Sequence, residues 1–121
     1  MEYRQYRQAN RAGSLAWLFQ RVSGIGILIL LIVHLWVTHY FPGGFVTYEK
    51  VAARLDMPGW RVLDLFFLAI LLFHGFYGLW MITLDYVHRD WQRLALYSIF
   101  WIAALVIFLY GAVTLLPFAG A

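Results

Sequence analysis

Cysteine is absent from these 121 residues. That excludes disulfides, thiolate nucleophiles and cysteine-held iron–sulfur clusters within the chain, and it confines any metal to histidine or oxygen ligands. Charge is scarce as well. Asp, Glu, Lys and Arg together make up 12% of the residues, about half of what a soluble domain carries. Proline occurs three times, as Pro42, Pro58 and Pro117, each at the edge of a long apolar run and never inside one. No segment between those runs is long enough to hold a soluble catalytic domain. A cleavable signal is not expected either. Residues 1–13 hold three arginines and a glutamate, and the apolar run that follows is too long and lacks an A-x-A site.

What is present is apolar. Hydrophobic residues make up 64% of the chain, and the mean hydropathy is +0.73. The expected fold class is an all-α integral membrane protein, a single membrane domain over 1–121 with spanning helices at about 15–40, 60–86 and 91–116. The basic residues cluster outside the apolar runs, so the pI near 9.5 points to membrane topology and not to nucleic acid. The spacing of Arg4, Arg7 and Arg11 suits a short helix lying on lipid headgroups, or a disordered tail. Ser14 is a candidate N-cap for the first span, and Ser23, Gly24 and Gly26 form a small-residue patch open to close approach. Phe41-Pro42-Gly43-Gly44 stops that span. Val46 to Leu55 is of mixed polarity and predicts a short interfacial helix, and Asp56-Met57-Pro58-Gly59 predicts a turn. Arg4, Arg7, Arg11, Arg21, Arg89 and Arg93 fall on one side of the membrane and Lys50, Arg54 and Arg61 on the other. This asymmetry puts the N-terminus in the cytoplasm.

The second span carries the chemistry. From Leu65 to Leu84, twenty residues cover about 30 Å as a helix, the thickness of the bilayer's hydrocarbon core. His74 sits in the middle of that run. An imidazole at such depth needs a partner, either a hydrogen bond from a neighbouring helix or a metal such as haem iron. Gly75 and Gly78 leave room beside it for a flat porphyrin. Asp85 lies eleven residues on, within about 20° of the His74 direction and some 16 Å closer to the cytoplasmic surface, and Tyr86 follows it. A ligand at depth and an acid beside a phenol at the rim suit electron transfer coupled to protonation of a quinone. Ordinary interfacial residues would also account for Asp85 and Tyr86. His34 is a second intramembrane histidine, placed further outward; it is either a structural hydrogen-bond partner or a ligand of a different haem. Arg21 either snorkels to the headgroups or pairs with a haem propionate. His39 and His88 read as solvated.

His74-Gly75-Phe76-Tyr77-Gly78 continuing to Asp85-Tyr86 resembles the H-x-x-x-G-x-x-x-x-x-x-D-Y signature of the D-type hydrophobic membrane anchors of succinate dehydrogenase, respiratory complex II. Phe19-Gln20-Arg21-Val22-Ser23-Gly24 is similar to the arginine-containing start of that family's first helix. The likeness covers most of Leu15 to Leu116. It implies a helical bundle shared with a C-type anchor subunit, in a prokaryotic cytoplasmic membrane, with an iron–sulfur subunit and a flavoprotein subunit docked on the cytoplasmic face. It implies a non-catalytic subunit of the enzyme, with His74 as an axial ligand of haem b, Arg21 near a propionate, and Asp85 and Tyr86 at the quinone site. The histidine at His34 adds a two-haem arrangement, in which each anchor chain gives one histidine to each haem, beside the single-haem one. A quinol:fumarate reductase anchor, or a haem-free structural anchor, is the alternative.

Overall fold

The computed structural model describes residues 2–40 and 43–118, with side-chain surroundings for 13–40 and 43–117. Four α-helices follow one another: α1 at Glu2–Leu35, α2 at Tyr48–Asp56, α3 at Pro58–Tyr86 and α4 at Asp90–Leu115. One wider π-type turn, Trp36–Tyr40, prolongs α1, and a short 3₁₀ turn at Leu116–Phe118 ends α4. No strand occurs among the described residues. Among the described residues three helical segments are long and apolar enough to cross a bilayer: Gly13–Tyr40, Pro58–Tyr86 and Asp90–Leu115. The chain is a multi-pass, all-α membrane protein.

The helix boundaries differ from expectation where local chemistry decides them. No break separates an N-terminal surface helix from the first span, so Ser14 lies inside α1 and not at its start. Gly13 is the one weak helix former near that junction, and a single glycine costs only about 1 kcal/mol. α3 begins at Pro58 because proline's missing N–H and fixed φ suit the first helical turn. Met57 therefore ends α2 and starts α3 at once, and the predicted four-residue turn shrinks to one residue. Thr47 caps α2 by accepting a hydrogen bond from the Lys50 N–H. Beside it, the Glu49 carboxyl is held below its usual range by its own backbone N–H and by the Thr47 hydroxyl. Gly43 and Gly44 both adopt positive φ, and the Lys50 ammonium closes that bend by donating to the carbonyls of Gly43 and Phe45.

α3 is the central helix. It packs against α1 on one side and α4 on the other, and α1 and α4 share no comparable contact. Aromatic pairs mark both seams: Phe19 meets Phe73 edge-on across α1 and α3, and Trp80 meets Tyr97 across α3 and α4. Three helices in a row cannot enclose a core of their own. Among the described residues four are buried: Leu55, Ala104, Ser23 and Asp64. The long apolar side chains of α1 and α4 face outward, Ile25 at 65% and Val113 at 66% exposure. That exposure is sustainable only against lipid or further helices. In a layer that buries so little, two of the four buried residues are polar, and both of those touch a histidine.

Candidate functional site

α1 and α3 run antiparallel and are cross-linked by two polar rungs. In one, Ser23 Oγ lies 2.9 Å from His74 Nδ1. In the other, His34 Nδ1 lies 3.2 Å from Asp64 Oδ1. The rungs are eleven residues apart on α1 and ten apart on α3, about 16 Å along the helices. Sequence reasoning placed the two histidines at different depths, and the structure separates them in the same sense. They do not meet.

The His74 rung is built by the polar residues of the Gln20-to-Gly24 turn. Gln20 Nε2 donates to the His74 carbonyl at 3.0 Å, and Ser23 Oγ donates to the Gln20 carbonyl at 2.9 Å. Gly24 lies directly against the ring. A Cβ at that position would stand 3.1 Å from His74 Cε1, tighter than ordinary contact. The space over Gly78, which sequence reasoning reserved for a porphyrin, is occupied by Gln20: a Cβ there would meet Gln20 Nε2 at 3.0 Å. Gly75, by contrast, has nothing within 4 Å, so the open side of α3 is the one Gly75 faces. Gln20 Oε1 is buried without a hydrogen-bond partner among the described residues.

These residues fit a haem ligand. One imidazole nitrogen is held by a neighbouring side chain, as ligating histidines generally are, while no hydrogen bond reaches Nε2 from any described residue. Among the described residues no three metal-ligating side chains converge. Through Nε2, His74 can supply one ligand to a metal.

The second rung extends to α2. Arg54 Nη2 donates to Asp64 Oδ2 at 2.8 Å, so the carboxylate accepts from a guanidinium on one oxygen and faces His34 with the other. A carboxylate whose side chain is only 9% exposed is costly unless paired. The His34 ring also packs at 5.6 Å from the Phe67 ring, and Thr38 Oγ1 donates to the His34 carbonyl. Arg54 keeps Nε and Nη1 buried without a hydrogen-bond partner among the described residues.

The remaining sequence-predicted residues lie apart from these rungs. Arg21 is exposed, its guanidinium 4.1 Å from the Trp17 ring centre, so it turns toward its own helix and not toward His74. Asp85 and Tyr86 occupy the last turn of α3, both exposed, with Tyr86 at 79%. The end of that turn is held by Arg93 of α4, whose Nε donates to the Val87 carbonyl at 2.6 Å and Nη2 to the Leu84 carbonyl at 3.3 Å. His39 and His88 are exposed.

Gln20, Ser23, Asp64, Arg54 and Arg93 are the polar residues whose roles sequence reasoning missed. A signal existed for Asp64, a carboxylate at the very edge of the apolar run and within the predicted helix, where a cation or donor is the natural partner. None existed for Ser23, which a small-residue patch explains equally well until the facing helix is known.

Comparison with known proteins shows the family. Residues 3–113 match the family of succinate dehydrogenase/fumarate reductase transmembrane subunits. A succinate dehydrogenase hydrophobic membrane anchor subunit of Archaeoglobus fulgidus is 32% identical over 97 residues, covering 80% of this chain and 83% of the relative. One from Thermoplasma acidophilum is 38% identical over 74 residues, covering 60% of each. With the family match running through nearly all of the three candidate spans, the chain belongs to the succinate dehydrogenase/fumarate reductase transmembrane subunit family, as a membrane anchor subunit of succinate dehydrogenase.

Proposed function

We propose that this subunit helps to bind haem b and forms part of the quinone-reduction site of a succinate:quinone oxidoreductase. Its membrane would be a prokaryotic cytoplasmic one, with the N-terminus and the α3–α4 connection on the cytoplasmic side. The supporting observation is the His74 imidazole. It engages α1 through Nδ1, leaves Nε2 unbonded among the described residues, and lies eleven residues before Asp85 on the same helix.

In this role His74 Nε2 would hold haem b together with a residue of a C-type partner anchor, since this chain brings no second histidine to that level. When bound, haem b supplies a one-electron store within reach of the quinone site. Arg21 would exchange its Trp17 contact for a propionate, which a guanidinium grips bidentately. Tyr86 donates its hydroxyl to a quinone carbonyl, and the Asp85 carboxylate beside it takes up and passes on a proton. Succinate oxidation belongs to the flavoprotein and iron–sulfur subunits on the same face. His34, oriented by Asp64 as a ligating imidazole commonly is by a carboxylate, would serve a second haem.

The assembled complex carrying His74→Ala should lose or shift its dithionite-reduced haem b spectrum; an unchanged spectrum would refute the ligand role. A second reading, a haem-free structural anchor, draws on the fact that both histidines already have partners within the chain. A pyridine haemochrome measurement on the wild-type complex separates the two and also distinguishes one haem from two. Quinol:fumarate reduction is the same architecture run in the opposite direction, and the family includes both enzymes.

A further inference from the structure

We infer that Ser23 is a positioning residue that fixes the tautomer of His74, resting on the haem-ligand role of His74 proposed above. The inference follows from a count of protons. Ser23 Oγ carries one hydrogen and has two neighbours at 2.9 Å, the Gln20 carbonyl oxygen and His74 Nδ1. A carbonyl oxygen can only accept. Both contacts are hydrogen bonds at once only when Ser23 gives its proton to Gln20 and accepts one from His74 Nδ1–H. The neutral imidazole then carries its proton on Nδ1, and Nε2 presents an unprotonated lone pair. The opposite tautomer would put a proton on the nitrogen that has to bind iron and would break one of the two contacts.

Gln20 completes the clasp. Its backbone carbonyl takes the Ser23 proton while its side-chain amide grips the His74 carbonyl. Ring and backbone of His74 are thus tied to the same turn of α1. Ser23 is buried at 5% exposure, so water does not compete for the hydroxyl. Accepting a hydrogen bond from Nδ1–H also raises the basicity of Nε2, which favours ferric over ferrous iron.

The test uses the assembled complex with Ser23→Ala and the isosteric pair Ser23→Thr and Ser23→Val, each titrated potentiometrically at the haem and assayed for haem content. Ser23→Ala and Ser23→Val should move the haem midpoint potential in the positive direction and lower haem occupancy. Ser23→Thr, which keeps the hydroxyl, should stay near the wild-type potential. Equal potentials in the Thr and Val proteins, or in Ala and wild type, overturn the inference. A complex that fails to assemble with the β-branched residues leaves the Ala comparison to decide. His74→Ala is measured alongside: haem retained with an unaltered spectrum there discards the ligand role itself. An unaltered potential in Ser23→Ala, with His74 established as ligand, discards only the role of Ser23.

Discussion

His34 Nδ1 stands 3.2 Å from Asp64 Oδ1, and the other oxygen of the same carboxylate accepts from Arg54 at 2.8 Å. This relay joins α1, α2 and α3 at one level. The Asp64 and Arg54 side chains are only 9% and 13% exposed, so neither charge can turn to solvent if the other is removed. Breaking a buried pair costs about 3–5 kcal/mol, because the remaining charge is stranded. Arg54→Leu should therefore lower complex stability by about 3 kcal/mol, and Arg54→Leu with Asp64→Leu by clearly less than the sum of the single changes. Thermal inactivation of the four proteins in one detergent gives the cycle, and additive costs would mean that the pair is not coupled.

The patch of Ser23, Gly24 and Gly26 divides in the structure. A side chain at Gly24 presses on His74, whereas one at Gly26 meets nothing within 4 Å. Gly24→Ala should push the imidazole out of its seat and perturb the haem b spectrum. Gly26→Ala should leave the spectrum alone and be neutral, or stabilising by at most about 1 kcal/mol through helix propensity. Matching absorption spectra for the two variants would contradict the close approach of Gly24.

That contrast shows what is legible in a sequence of this kind. Twenty apolar residues around His74 leave the backbone no choice in a bilayer but a helix that satisfies its own hydrogen bonds, so three spans can be read directly. The pairing of one helix with another cannot, because lipid is as apolar as leucine and residue patterning marks no buried face. Gln20 and Ser23 become partners of His74 only through the antiparallel register of α1 and α3. The same register turns Asp64, otherwise one interfacial charge among several, into the partner of His34. Gly78 shows the converse error: its missing side chain admits Gln20, where helix geometry alone left an open space.

Arg93 counts in the sequence as one more cytoplasmic positive charge, yet its guanidinium spans the carbonyls of Leu84 and Val87. It thereby satisfies acceptors that the end of α3 leaves open and places a cation at the negative pole of that helix. Hydrogen bonds to a charged group contribute about 1.5–3 kcal/mol each when part-buried. Arg93→Ala should fray the turn bearing Asp85 and Tyr86 and raise the quinone KM, while succinate-dependent reduction of a soluble dye proceeds at the wild-type rate. Arg93→Lys, which keeps the charge but cannot span both carbonyls, should recover only part of the loss. Steady-state kinetics with both acceptors decides the matter, and equal losses with both would place the effect outside the turn.

Tyr86 offers the most direct probe of that turn, since the residue is 79% exposed and is little packed by the rest of the chain. Tyr86→Phe deletes one hydroxyl and nothing else. If that hydroxyl holds a quinone carbonyl, quinone reduction should fall about tenfold, the loss of roughly 1.4 kcal/mol expected for one hydrogen bond. Haem content and dye reduction should not change. Asp85→Asn keeps the shape of the neighbouring side chain and removes its charge, so its effect should fall on the pH dependence of quinone reduction more than on quinone affinity. Should Tyr86→Phe match the wild type with quinone at every concentration, the last turn of α3 would be a membrane-surface anchor, and the quinone would have to dock elsewhere in the complex.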